Sequence, residues 1–412
     1  MLCKKCIGLF LTICLFGSMA KAGDWTQWRG PQRDNCSSET GLLQSWPASG
    51  PKLIWKATGL GKGYATVSVV GTRLYTTGER DGVSYAYALE IGKQQPLWSV
   101  PIGKAGAPGW GKFFGPRSTP TVDGDRVYVL GQYGELVCLQ ASDGLKLWET
   151  HLVKELGGKR PEWGYSESVL IDGDQLICTP GGKQGFLAAL NKQTGKVLWR
   201  SSDCTDNAHY ASVIIATLGG VKQYVQLTPA SVVGVGTDGA LLWQTKRKGK
   251  TAVIPTPVVK DNLVYVTSGY GIGCACFEIT KNVDGFSVRP AYQEKVMVNQ
   301  VGGVVLQGDY VYGHCDKKGW TCQAIATGEV KWTNKAVGKG ALTYADGCFY
   351  LRSEKKGTLA LIKATPAGFQ ETGRFTQPGF GKEQTWPPVV IVNKMLFVRD
   401  QDQLLGYDIA QP

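Results

Sequence analysis

Short runs of alternating apolar and polar residues recur along the chain, cut by Asp-Gly and Gly-Asp turns. One stretch shows the order. Ser118-Thr-Pro-Thr-Val122 makes a first strand, Asp123-Gly-Asp125 a turn, and Arg126 to Leu130 a second strand. A Gly-rich turn leads to a third strand, Leu136 to Gln140, and Ser142-Asp-Gly144 leads to a fourth that ends at Trp148. A period of two marks half-buried strands, and Asp-Gly between such runs marks hairpins. No long stretch carries the three-to-four spacing of an amphipathic helix, so the pattern predicts an all-β chain.

The fourth strand carries a phrase that repeats. Gly144-Leu-Lys-Leu-Trp148 returns as Gly195-Lys-Val-Leu-Trp199, Gly239-Ala-Leu-Leu-Trp243 and Gly328-Glu-Val-Lys-Trp332, with looser copies ending at Trp55 and Trp98. From Trp55 to Trp243 the tryptophans stand 43, 50, 51 and 44 residues apart, and the next interval, 89, is two periods with the middle Trp lost. A period in the forties built from short strands predicts β-propeller blades. Second strands align in eight copies, from Leu74-Tyr75 through Val127-Tyr128 to Leu396-Phe397. The last copy offers three strands, and Lys52 to Lys56 near the start is an unattached fourth. Joining them closes the ring and removes the open sheet edges. The expectation is one eight-bladed propeller over residues 51–412, preceded by an extension over 23–50. The repeated Trp is expected to pack between neighbouring blades.

Asp-Gly-Asp-x-Val-Tyr-Val, Gly-x-Leu-x-x-Leu and Gly-x-x-Leu-Trp together resemble the PQQ-like repeat, over about residues 50 to 410. That repeat builds the quinoprotein alcohol dehydrogenases and also BamB, an eight-bladed scaffold without cofactor. The opening Asp24-Trp-Thr-Gln-Trp-Arg-Gly-Pro31 resembles the start of exported, BamB-like PQQ propellers of planctomycete-type bacteria. The dehydrogenase branch implies pyrroloquinoline quinone (PQQ) with calcium, a bonded pair of adjacent cysteines, and a Glu, Asn and Asp set beside a catalytic Asp. This chain has no Cys-Cys, and that set cannot be placed. The resemblance therefore implies the fold, and no cofactor is predicted.

Residues 1–22 read as a signal peptide. Lys4 and Lys5 precede an apolar run from Ile7 to Phe16, and Ala20-Lys21-Ala22 is a cleavage pattern. Ile13 before Cys14 argues against a lipobox, so the mature protein is expected to be soluble in the periplasm or secreted. The formal charge is +12, and loss of Lys4, Lys5 and Lys21 leaves +9. That charge serves solubility or draws an anionic polymer. Nucleic acid is not an expected partner, because the one basic run is Lys246-Arg-Lys248. Three of the 12 cysteines belong to the signal. Cys315 and Cys322 flank a hairpin loop and make a candidate disulfide, whereas Cys274 and Cys276, two apart on one strand, would need strain to bond. No C-x-x-C beyond the signal supports a zinc site, and the Asp-Gly-Asp triplets lack the further ligands of a calcium loop.

Since the blades repeat, function is expected where they differ. Alignment of the first strands gives a ring at the channel entrance: Tyr64, Arg117, Ser166, Tyr210, Ile254, Val301, Lys339 and Trp386. In the next ring Glu167 is the one acid. Arg117 and Glu167 come from adjacent blades, so they form either an inter-blade bridge or a polar ligand site in which Arg117 takes an anion. Tyr165, His209, Tyr210, Lys339 and Trp386 complete the candidate ligand set, with Trp110 and Trp163 in the entering loops. Gly164-Tyr-Ser166-Glu-Ser168 falls short of a nucleophile elbow, because its last residue is Ser and no helix follows. Gly269-Tyr-Gly271-Ile-Gly273 is a turn for the same want of a helix. The expected function is a monomeric, non-catalytic scaffold for a protein or cell-envelope partner. A PQQ-dependent dehydrogenase with an atypical site is the alternative, and a polysaccharide-binding propeller is the third.

Overall fold

The computed structural model describes residues 23–412. The expected signal segment, with Cys3, Cys6 and Cys14, lies outside them. The described residues form eight four-stranded antiparallel sheets, seven of them running in chain order from the channel outward. The second blade is representative: Thr121–Asp123, Arg126–Leu130, Glu135–Gln140 and Lys146–His151. The eighth blade takes Val390–Val392, Met395–Asp400 and Gln403–Asp408 from the end of the chain and Lys52–Ala57 from its start. Lys56 lies opposite Leu405 and Lys52 opposite Asp408, so the closure is by an outer strand, as the repeat count requires.

The repeated phrase has a mechanical meaning. The Trp sits at the bulge where the third and fourth strands slip register, as at Cys138↔Trp148 and Ala189↔Trp199. A bulge re-aims the side chain, here onto the next blade. Trp98 Nε1 donates to Ala141 O at 3.1 Å and Trp148 Nε1 to Lys192 O at 2.9 Å. The rings of Trp98, Trp148 and Trp199 then cover the glycine of the following phrase. A Cβ on Gly195 would lie 2.7 Å from Trp148, and one on Gly239 2.6 Å from Trp199. Where the Trp is lost, Tyr292 replaces it, donating to Ile325 O at 2.7 Å and covering Gly328. The phrases at 144–148 and 195–199 are thus each a socket for the Trp of the blade before and a source of the Trp that fills the socket after.

Core clusters follow the same plan, each filled from two neighbouring blades. Tyr128, Leu136 and Cys138 of the second blade meet Leu176, Cys178 and Leu190 of the third. Nearer the axis, hydroxyls link the blades. Thr66 N donates to Thr119 Oγ1 at 3.2 Å, Thr119 N to Ser168 Oγ at 2.9 Å, and Ser168 N to Ser212 Oγ at 3.1 Å. This explains why the innermost strand begins at Thr121 instead of Ser118: the residues before it bond sideways to the next blade.

The candidate disulfide does not form. Cys315 pairs with Gly319 and Cys322 with Tyr312, an odd offset that puts the two side chains on opposite faces of the sheet. All nine described cysteines are free.

The extension over 23–50 is structural. Trp25 exchanges backbone hydrogen bonds with Val69 on the innermost strand of the first blade, both 2.8 Å, and Thr26 O accepts from Val122 N of the second. Arg29 donates to Val304 O in the sixth blade, and Arg33 to Val169 O in the third at 3.1 Å. Asn35 donates to Thr343 Oγ1 in the seventh at 3.1 Å, and Ser37 to Ile391 O in the eighth at 2.8 Å. The segment therefore crosses the channel at the far end of the innermost strands and ties six blades together. It then runs outward past Leu42 and Trp46 to the closing strand.

Candidate functional site

The extension over 23–50 acts as a plug and makes the channel blind. Above Trp28 and Arg29 lies a cavity of about 210 Å³, walled by residues of the loops that enter the innermost strands. Tyr64, Arg117, Ser166, Tyr210, Ile254, Val301 and Trp386 all face it, so seven of the eight positions in the aligned ring are brought together. Trp110, Phe113 and Trp163 complete its mouth.

These aromatics brace one another. Tyr64 and Trp386 have ring centroids 4.4 Å apart, Phe113 and Trp386 4.9 Å, and Trp163 and Tyr210 6.0 Å. Trp110 stands edge-on to Trp163 at 5.4 Å and is 62% exposed, which makes it the rim. Such pairs stabilise by about 0.5–1.5 kcal/mol each beyond area burial, so the mouth is built before anything binds.

The polar groups at the cavity mostly hold its own walls. Arg117 donates to Trp163 O and Phe113 O, both 3.0 Å, and its guanidinium stands 5.5 Å over the Tyr64 ring. Burial lowers its pKa to about 10, so it remains charged at neutral pH. Trp163 Nε1 donates to Trp110 O at 2.8 Å, and Trp386 Nε1 to Glu354 Oε2 at 3.2 Å. Tyr210 Oη accepts from Trp163 N at 3.3 Å. Gln300 donates to Tyr270 Oη at 2.7 Å and accepts from Lys339.

Arg117 and Glu167 do not form the expected bridge. Glu167 is buried behind the wall and accepts from Thr179 N and Thr179 Oγ1, both 2.7 Å. Burial pushes its carboxyl up to about 7, against those two bonds and the charge of Arg33 from the plug. The cation that Glu167 faces comes from the extension, a non-repeating segment that no blade alignment covers.

The other candidates divide. Tyr165 is buried away from the cavity, with its hydroxyl on Pro180 O at 2.9 Å. His209 accepts from Val253 N at 3.0 Å through Nδ1 and packs on Tyr210, and burial lowers it to about 4. It is a neutral buttress at physiological pH. Lys339 turns to Gln300 and lies 3.5 Å from Asp316, beside the mouth but outside the cavity. Trp28, Arg29 and Tyr270 were missed by the ring alignment. The lone Asp24–Pro31 phrase, rich in Trp and Arg, was the available signal for the first two.

A family profile described as outer membrane protein assembly factor BamB matches residues 84–334. Among curated proteins, the outer membrane protein assembly factor BamB of Xanthomonas campestris pv. campestris is 25% identical over 207 residues, 49% of this chain and 46% of that protein. The matched chain thus spans about half the length of this relative. The crystal structure of BamB from Moraxella catarrhalis superposes with a TM-score of 0.61 at 14% identity, covering 88% of this chain and 98% of that one. Quinohemoprotein alcohol dehydrogenase from Comamonas testosteroni gives 0.65 at 11% identity, covering 95% and 81%. Those two structural likenesses establish the fold alone, and the profile match over most of the blades places this PQQ-like repeat propeller in the BamB family.

Proposed function

We propose that this chain is an exported, non-catalytic scaffold that holds a protein partner in the cell envelope through the blind end of its channel. The supporting observation is the cavity lining: apolar and aromatic walls with no carboxylate, histidine or cysteine among the lining residues. A binding site of this kind takes an anchor by burial, and its fixed aromatic rings lose little freedom on binding. General acid–base chemistry most often uses His, Glu or Asp, and the titratable groups that line this cavity are Tyr64, Tyr210, Tyr270, Arg29 and Arg117. The nearest acids and His209 point elsewhere.

A calcium-held quinone fits this lining poorly. Calcium takes six to eight oxygen ligands with carboxylates prominent among them, and the cavity offers Gln300, Ser166, Ser212 and Thr256 with no acid. The relatives' name, outer membrane protein assembly factor, supports a protein partner and an envelope location for this chain.

The test places a photo-crosslinking amino acid at Trp110 or Phe113 of the mouth, and at Lys196 on the opposite end, in the source bacterium. Adducts to a discrete protein from the mouth positions alone are expected. Purified protein is titrated with PQQ and calcium in parallel. A quinone chromophore, or saturable binding at one equivalent, would overturn the scaffold reading.

A further inference from the structure

Charge is unequally divided between the two ends of the ring. At the cavity end, five of the eight loops that join blades carry lysine and no carboxylate: 58–67, 105–120, 247–257, 295–303 and 335–339. The turns at the plugged end mix the two signs: Asp125, Asp174, Asp238, Asp261, Asp284 and Asp309 are exposed, and so are Lys93, Lys196, Lys222, Lys281 and Lys394. The lysines are densest on the sixth and seventh blades, where Lys317, Lys318, Lys335, Lys355 and Lys356 are exposed and Lys339 is half-buried. This arc runs into the mouth, because Lys339 bonds Gln300 and Glu354 bonds Trp386, and both Gln300 and Trp386 line the cavity.

From this juxtaposition we infer that the site docks an acidic peptide segment of its partner, with one aromatic or large aliphatic side chain seated in the cavity and carboxylates on the lysine arc of blades six and seven. The inference rests on the scaffold reading above and names its partner chemistry. The plug sets the form of the occupant, since a blind hole admits a projecting group and cannot be threaded. Its size matches: about 210 Å³ exceeds the roughly 150 Å³ cavity that accepts benzene. Its chemistry favours a side chain over a sugar. A sugar ring brings several hydroxyls that need partners, but Arg117 and both indole N–H groups of Trp163 and Trp386 are already paired within the protein, which leaves Ser166, Ser212, Thr256, Gln300 and the Tyr210 hydroxyl in a lining that is otherwise mostly apolar. Unpaired hydroxyls in an apolar hole cost binding, whereas an apolar side chain leaves nothing unpaired. The lysines then supply steering and register, as charge does at the rim of an interface.

The experiment measures fluorescence anisotropy of a labelled peptide of aspartates and glutamates around one tryptophan, with the purified protein. Companion probes carry Ser for the Trp, or Ser for every acid, and polygalacturonate and vesicles of anionic lipid serve as competitors. Two variants report the two halves of the site. Ile254→Trp fills the cavity, and a quadruple Lys317→Glu, Lys318→Glu, Lys355→Glu, Lys356→Glu reverses the arc at exposed positions that leave folding untouched. Each variant, and each companion probe, is expected to bind about tenfold or more weakly. The loss from charge reversal should shrink as salt rises to about 0.5 M, where the Debye length falls well below that at 0.1 M. Indifference of the acidic peptide to Ile254→Trp would overturn the anchor, and no binding at all would overturn the inference whole. Equal binding of the uncharged tryptophan peptide would remove the acidic partner while leaving the scaffold reading intact. Competition by polygalacturonate or vesicles that Ile254→Trp abolishes would assign the cavity to a sugar or a lipid instead.

Discussion

The socket glycine offers a sharp test of how this ring is held together. Gly195 has φ +71°, and a Cβ there would meet Trp148 Cε3 at 2.7 Å and Cδ2 at 2.9 Å. Gly173, in the Asp172-Gly-Asp174 turn of the same blade, has φ +57° with nothing within 4 Å of the added carbon. Both positions impose the left-handed conformation, which costs an alanine about 1–2 kcal/mol. The lower entropy of the unfolded alanine chain offsets about 0.4–1 kcal/mol of that. Gly173→Ala should therefore lose about 1.6 kcal/mol or less. Gly195→Ala adds the expense of pushing an indole out of its socket, typically about 1–3 kcal/mol for overpacking, for a total of about 2–4 kcal/mol. Urea unfolding followed by far-ultraviolet circular dichroism compares the two. A double-mutant cycle with Trp148→Leu isolates the contact: with the indole gone, Gly195→Ala should fall to the value of Gly173→Ala. Equal losses at 195 and 173, or a loss at 195 that Trp148→Leu leaves unchanged, would refute the socket account of the repeated phrase.

Two further changes probe the channel. Glu167 has its carboxyl raised from 4.5 to about 7 by burial, so the folded state holds that proton more tightly than the unfolded chain. Its contribution is therefore most favourable below about pH 4.5 and is lost as pH rises through 7, by about 3 kcal/mol in total. Urea midpoints measured from pH 5 to 8 should fall with pH from this group, and Glu167→Gln should flatten that slope; an unchanged slope would mean the carboxylate is better solvated than its burial implies. In the plug, Arg29 is fully buried and donates to Arg33 O and Asp34 O, both 3.1 Å, and to Val304 O. Arg29→Met leaves those carbonyls unpaired, at about 1–3 kcal/mol each when no water replaces the donor. Limited trypsin digestion should then cut at Arg33 while the blades stay intact, and continued resistance at Arg33 would show that the other plug contacts suffice.

What repeats was legible in the sequence, and what occurs once was not. The blade count, the closing strand and the inter-blade Trp all follow from the period, because each blade solves the same packing problem with the same residues. The period also gave the positions around the cavity correctly at Tyr64, Arg117, Tyr210 and Trp386. It could not give their partners. Arg117 and Glu167 look like a pair when only charges at aligned positions are compared, yet each is satisfied by groups the alignment does not rank: backbone carbonyls for one, Thr179 and the plug for the other. The Cys315–Cys322 pairing failed for a related reason. Loop length suggests proximity, but the register of the hairpin decides which face each side chain takes.

The plug is the clearest case of a single-copy feature setting function. Arg29 and Arg33 reach carbonyls 275 and 136 residues away, contacts that no local pattern encodes. Without that segment the ring would be a channel open at both ends, with its aromatic ring of positions lining a passage. With it, the same residues line a dead end. The open mouth lies on the same side as the lysine arc of blades six and seven, so the proposed anchor and the proposed charge contacts share one face. Eight near-identical blades have no preferred direction of use. The extension of 23–50 confers one, and a variant that opens the plug should weaken binding at the mouth even though no residue of the mouth has changed.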